Sequence, residues 1–117
     1  MDPSERLCTA VTPLVSICRP NVYQPDIGDA EDVYCTYNFN DLPGVFAEGS
    51  PNAIVYLVML HLYAPHGHDC RVLKADLALA LHRAGFTYPA ITNASDTDGQ
   101  HFVFECQTAE GIYLGRN

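Results

Sequence analysis

Imidazole, carboxylate and thiolate are the groups that hold transition metals, and five of them crowd into one short stretch: His61, His66, His68, Asp69 and Cys70. Their spacing fits no zinc finger or knuckle. His61 falls inside an apolar run that reads as a strand, and Asp69 stands where it can cap a helix, so the stretch reads as a polar strand-to-helix loop. No metal is expected there. Asp96-Thr97-Asp98-Gly99 has the opening of a calcium loop, but the closing glutamate is missing, and a tight turn uses Asp, Asp and Gly equally well. A nucleophile could pair Cys70 or Cys35 with His101 or His82, yet no local motif orients such a pair. The stretch from Gly44 to Gly49 lacks both the lysine of a phosphate loop and the glycine spacing of a dinucleotide site. No catalytic, cofactor-binding or metal-binding residue is therefore assigned, and an enzyme is not expected. A small metal-binding enzyme built on the histidine loop is kept as an alternative.

The elements that would position these groups can be read from periodicity. Asp2 and Pro3 suit the start of a short helix over residues 2–12, with Leu7, Val11 and Leu14 at helical spacing and Pro13 ending it. Pro13, Pro20, Pro25 and Gly28 then mark an extended connector, closing on an acidic loop with Asp26, Asp29, Glu31 and Asp32. Val33 to Phe39 alternates as a half-buried strand, with Val33, Cys35, Tyr37 and Phe39 on one face. A Pro/Gly-rich loop over 40–52 separates it from Ile54 to Tyr63, a nearly continuous apolar run that suits a central strand. Asp69 caps a helix reaching Ala84, where Gly85 stops it, and Leu73, Leu77, Ala80, Leu81 and Ala84 form its core stripe. Phe86 to Ala94 and Gln100 to Thr108 complete a hairpin. The order helix, strand, strand, helix, strand, strand predicts an α+β fold: a mainly antiparallel four-stranded sheet with the helices packed on one side. One domain is expected over 1–117, with 1–32 as helix and connector, 33–108 as the core and 109–117 as a tail.

Composition narrows the function. The 117 residues are 48% hydrophobic and 17% charged, which suits a folded domain with one core. Fourteen acidic residues against 6 basic ones give a formal net charge of -8, which opposes a phosphate backbone or an anionic bilayer. Neither specific nucleic-acid binding nor membrane binding is expected. No cationic segment followed by an apolar run opens the chain, so a cytoplasmic protein is expected. Cys8, Cys18, Cys35, Cys70 and Cys106 are odd in number and hold no C-x-x-C spacing, which argues for reduced, mostly buried thiols.

Four stretches in order carry a family likeness: Tyr34-Cys35-Thr36-Tyr37-Asn38-Phe39-Asn40; Val45-Phe46-Ala47-Glu48-Gly49; the strand Val58 to Tyr63; and Leu79-Ala80-Leu81-His82-Arg83-Ala84-Gly85-Phe86, followed by Asp96 to Glu105. Together they resemble the small tail-completion proteins, or tail terminators, of long-tailed bacteriophages and prophages. The resemblance covers residues 33–106, and its motifs are structural ones. It implies an α+β subunit without an active site or cofactor that forms a ring, commonly a hexamer, on the head-proximal end of the tail tube. The implied partners are other copies of itself, the tail-tube protein and the head connector, and the implied location is the virion, assembled in the bacterial cytoplasm. A different head-tail adaptor or a tail-tube-like subunit is the alternative within the same class.

Candidate interface residues come from the helix and the acidic loop. Val72 and Leu79 fall on a second strip of the helix, away from the core stripe. Arg71, Lys74 and Arg83 place half of the 6 basic residues on the same helix, against Asp26, Asp29, Glu31 and Asp32 in the loop. The two regions are expected to meet between neighbours, where opposite charges set orientation. The segments 20–32 and 40–52 are expected to order mainly against neighbouring subunits.

Overall fold

A computed structural model of the chain describes residues 2–20, 33–41 and 53–111. The first element, α1 (Pro3–Val11), begins with a capping box in which Asp2 Oδ1 accepts from the Glu5 backbone N–H at 2.8 Å and Glu5 Oε1 accepts from that of Asp2 at 3.2 Å. Pro3, Leu7 and Val11 are buried at four-residue intervals, so one stripe faces the core. The helix stops at Val11, where Leu14 and Val15 donate backbone N–H groups to the Val11 carbonyl and turn the chain back.

Within the stretch expected to be an extended connector, the chain forms a short strand, β1 (Cys18–Pro20), paired parallel to β2 (Tyr34–Asp41). Three residues with two prolines nearby carry too little periodicity to announce a strand; the partner strand supplies the hydrogen bonds that make it one. β2 pairs antiparallel with β3 (Ala53–Ala64), which pairs antiparallel with β5 (Gln100–Gly111), and β4 (Ala90–Asn93) pairs antiparallel with β5. The spatial order is β1-β2-β3-β5-β4. The class is α+β as expected, but the sheet has five strands and is mixed, in place of four mainly antiparallel ones. The element order becomes helix, three strands, helix, two strands.

The second helix, α2 (Arg71–Arg83), starts one residue later than a cap at Asp69 requires: Cys70 is the N-cap, and its side chain makes no capping bond. Asp69 still accepts the Arg71 backbone N–H on Oδ1 at 3.0 Å, an Asx-type turn just ahead of the helix. The end is as read. Gly85 takes φ +97°, donates to the His82 carbonyl, and lets Phe86 donate to the Leu81 carbonyl, the reciprocal pair of a Schellman motif. The buried stripe is Leu77, Ala78 and Leu81, while Leu73 and Ala84 are only half-buried at its flank.

β4 begins at Ala90, later than Phe86. Phe86 is buried in the core, and Thr87 bonds to β5 by donating to the Gln107 carbonyl at 2.9 Å and accepting the Gln107 N–H on Oγ1 at 2.9 Å. The hairpin closes on Asp96 and Gly99, with Asp96 Oδ1 accepting from the Asp98 N–H at 2.8 Å. Strand parity then divides the sheet. Cys35 with Val58, Leu60, Leu62, Phe102, Phe104 and Cys106 face the helices in one continuous core with Leu7, Val11, Leu77 and Leu81.

Candidate functional site

The opposite face of the sheet carries the two sheet histidines and two stacked tyrosines. Tyr34, Tyr63 and His101 are cross-strand neighbours in one row over β2, β3 and β5. Their rings stack, with centroids 4.8 Å apart for Tyr34 and Tyr63 and 4.4 Å for Tyr63 and His101. His61 lies one row along β3, with Nδ1 2.9 Å from His101 Nε2 and Nε2 3.2 Å from Asn38 Oδ1.

That geometry sets the protons. Asn38 Nδ2 donates toward Met59 Sδ at 3.7 Å, which leaves Oδ1 to face His61. An amide oxygen only accepts, so His61 carries its proton on Nε2, offers a lone pair at Nδ1, and receives the Nε2 proton of His101. The His61 ring is neutral in this arrangement. Burial holds the His61 pKa below the usual imidazole range, with His101 adding to the effect, and burial also lowers His101, partly offset by Asp96. His61 has both ring nitrogens committed inside the sheet, so it ties β2, β3 and β5 together across the strands.

A pH dependence follows from the sign of these shifts. The unfolded chain takes up protons on these imidazoles below about pH 6.5, before the folded one does, so their contribution is full above that value and is lost as pH falls through the lowered folded pKa values. Denaturant midpoints should decline from about pH 7.5 to about pH 5, and the decline should shrink in a His61→Gln, His101→Gln double variant. Carboxylates such as Asp2 and Asp69, whose pKa values are lowered, act in a separate window below the ordinary carboxylate range. An equal decline in the double variant would assign the effect elsewhere.

The histidine loop disperses. His61 is in the sheet network, His66 Nε2 lies 3.2 Å from the Thr97 carbonyl, and Asp69 pairs with Arg71 at 2.9 Å. Gln100 Nε2 donates to the Pro65 and His68 carbonyls at 2.8 and 2.7 Å, pinning the turn onto the hairpin. Among the described residues no group of three or more His, Cys, Asp or Glu could hold a metal. Nor do Cys35 and Cys70 approach a histidine ring as a catalytic pair: Cys35 is buried on the helix side of the sheet, and Cys70 Sγ points at the His68 carbonyl at 3.6 Å.

The proposed interface residues separate into three kinds. Val72 and Leu79 are 71% and 38% exposed, the former the most exposed of the large apolar residues described. At 100° per residue Leu79 stands roughly 150° from the centre of the buried stripe, so the second strip opposes the core instead of flanking it. Arg71 and Lys74 have partners in their own chain: Arg71 holds Asp69, and Lys74 Nζ sits 4.1 Å from the centroid of the Phe102 ring. Arg83 is exposed in the last turn of α2, where a cation is favoured. Asp26, Asp29, Glu31 and Asp32 lie outside the described residues, as does most of 20–32 and 40–52, the segments expected to order against neighbours; Pro20, Asn40 and Asp41 are instead strand residues of β1 and β2.

A cleft of about 460 Å³ opens beside α1, lined by Pro3, Pro20, Tyr37, Phe39 and Tyr56 with Asp2 and Ser4 at its edge. Asn38 lines it as well, and the Asp2 and Ser4 side chains are engaged in the helix cap, where Ser4 Oγ donates to Asp2 Oδ1 at 2.8 Å. Sequence reading misses the Tyr34–Tyr63–His101–His61–Asn38 network, although a period of two places Asn38, His61, Tyr63 and His101 away from the apolar positions of their strands. Joining them requires the strand register, which the sequence between the strands does not set. No described helix is long and apolar enough to cross a membrane. Set against models of known protein families, curated proteins and solved structures, the chain matches none of them.

Proposed function

We propose that this chain is a docking subunit of a larger protein assembly: a virion protein that caps the head-proximal end of a phage tail tube as a ring and joins tail to head, as its motifs imply by resemblance. The observation that carries the reading is the outer side of α2. Val72 and Leu79 are exposed there with Ala75 between them, directly away from a core that is already complete on the other side. A single exposed leucine is ordinary, but two large apolar residues seven apart on one helix line give a strip that a neighbour can cover. The net charge of -8 favours a ring through which DNA passes without sticking. The role is non-catalytic.

Leu79→Glu tests this directly. The site is exposed, so the variant should keep the parent's melting behaviour while ring formation, or binding to isolated tail tubes, weakens at least about tenfold, the effect of one uncompensated charge in an apolar contact. Native mass spectrometry reads the ring and co-sedimentation reads the tube. A variant that folds and assembles like the parent would sink the reading.

A further inference from the structure

The helix side of the sheet holds a thiol pair that the docking role does not use. Cys8, half-buried on α1, points its Sγ at Cys18 Sγ 3.7 Å away and at the Cys18 carbonyl at 3.8 Å, and Cys18 is buried at the start of β1. The turn after Val11 brings the two together. A disulfide requires about 2.05 Å between sulfurs, so closure needs an approach of about 1.7 Å, within reach of side-chain rotation and a small shift of the last turn of α1.

We propose that Cys8 and Cys18 are a redox-active dithiol that a low-molecular-weight disulfide, oxidised glutathione being the type case, converts into a covalent bond between α1 and β1. The Cys8 thiolate attacks one sulfur of the oxidant, forms a mixed disulfide and releases one thiolate of the reagent. The Cys18 thiolate then attacks the Cys8 sulfur and expels the second. Two protein thiols are oxidised, one small disulfide is reduced to two thiols, and the two protons end on those thiols.

The surroundings assign the order. Cys8 is the only one of the five cysteines that is not buried, so the oxidant meets it first. The Tyr37 hydroxyl meets the Cys8 thiol; burial together with this contact pushes the Tyr37 pKa up to about 12, so the hydroxyl keeps its proton and can donate to a thiolate at Cys8. Burial, reinforced by Cys8, raises Cys18, which makes the second step the slower one and speeds it with alkali. Cys35 is the backbone neighbour of Cys18 in the parallel pair, but it is fully buried and pushed up to about 12, away from any soluble reagent.

The experiment treats the folded chain with oxidised glutathione at about pH 8, with time allowed for the slow second step, then alkylates and maps the peptides. The expected product has lost two hydrogens, links Cys8 to Cys18, leaves Cys35, Cys70 and Cys106 free, melts at a higher temperature than the reduced chain, and reverts with dithiothreitol. Cys18→Ser should stop at a stable glutathione adduct on Cys8, and Cys8→Ser should give no product. Five unmodified thiols, a persistent adduct on Cys8 of the parent, or a link through Cys35 would each overturn the proposal. The mapping of the parent decides the matter even if a variant fails to fold.

Discussion

Phe104→Ala should destabilise the chain by about 3–5 kcal/mol, the range for removing a buried aromatic ring from a packed core. The ring is 0% exposed at the centre of β5, with Leu60 of β3 and Ile91 of β4 as its backbone partners. It sits where the strands that carry His61 and His101 meet the layer beneath both helices. Set against a domain stability of about 5–15 kcal/mol, the loss is large enough to populate unfolded chains at growth temperature. Urea unfolding followed by circular dichroism measures it. A loss below about 1 kcal/mol would mean that neighbours refill the space and that the core is less rigid than its packing indicates.

Gly85→Ala should cost about 2–4 kcal/mol, through two separable effects. At φ +97° a side chain is strained, worth roughly 1–3 kcal/mol, whatever space surrounds it. Space is also lacking: a Cβ there would lie 2.6 Å from Arg6 Nη1. Arg6 donates from Nη1 to the Ala84 carbonyl at 2.8 Å and from Nη2 to Thr108 Oγ1 at 3.1 Å, and its guanidinium lies 4.8 Å from the Phe86 ring centroid. One cation thus ties α1, the end of α2 and β5 together. Displacing it forfeits about 1–2 kcal/mol of charge-assisted bonding. In an Arg6→Ala background the steric part is already gone, so Gly85→Ala should cost less there, and a double-mutant cycle reads the difference. Equal costs in both backgrounds would leave strain alone as the cause.

Local rules made most of the elements legible. The alternation of Val33, Cys35, Tyr37 and Phe39, the apolar run before Tyr63, and the Gly85-Phe86 stop each express a preference within a few residues of themselves; the stop falls as expected, and the two strands lie within two residues of their expected bounds. What was not legible depends on partners distant in sequence. β1 exists because β2 lies beside it, and the Cys35 N–H donating to the Ile17 carbonyl at 2.8 Å belongs to no local pattern. The N-cap of α2 is Cys70 and not Asp69, whose carboxylate takes the Arg71 backbone N–H and the Arg71 guanidinium. The same distinction governs the chemistry. A cluster of histidines in sequence was scattered by the sheet, while Asn38, His61 and His101, distant in sequence, were brought to one point by strand register.

Both outermost strands among the described residues are short. β1 offers three residues and ends on Pro20, which has no N–H to give, and β4 offers four, with Pro89 immediately before it. Long, flat margins invite another strand and then another, the route by which sheets grow into fibrils. Here that route is blunted at each side. Among the described residues, the outermost strands thus leave a second copy little backbone to extend, and growth strand upon strand is disfavoured there.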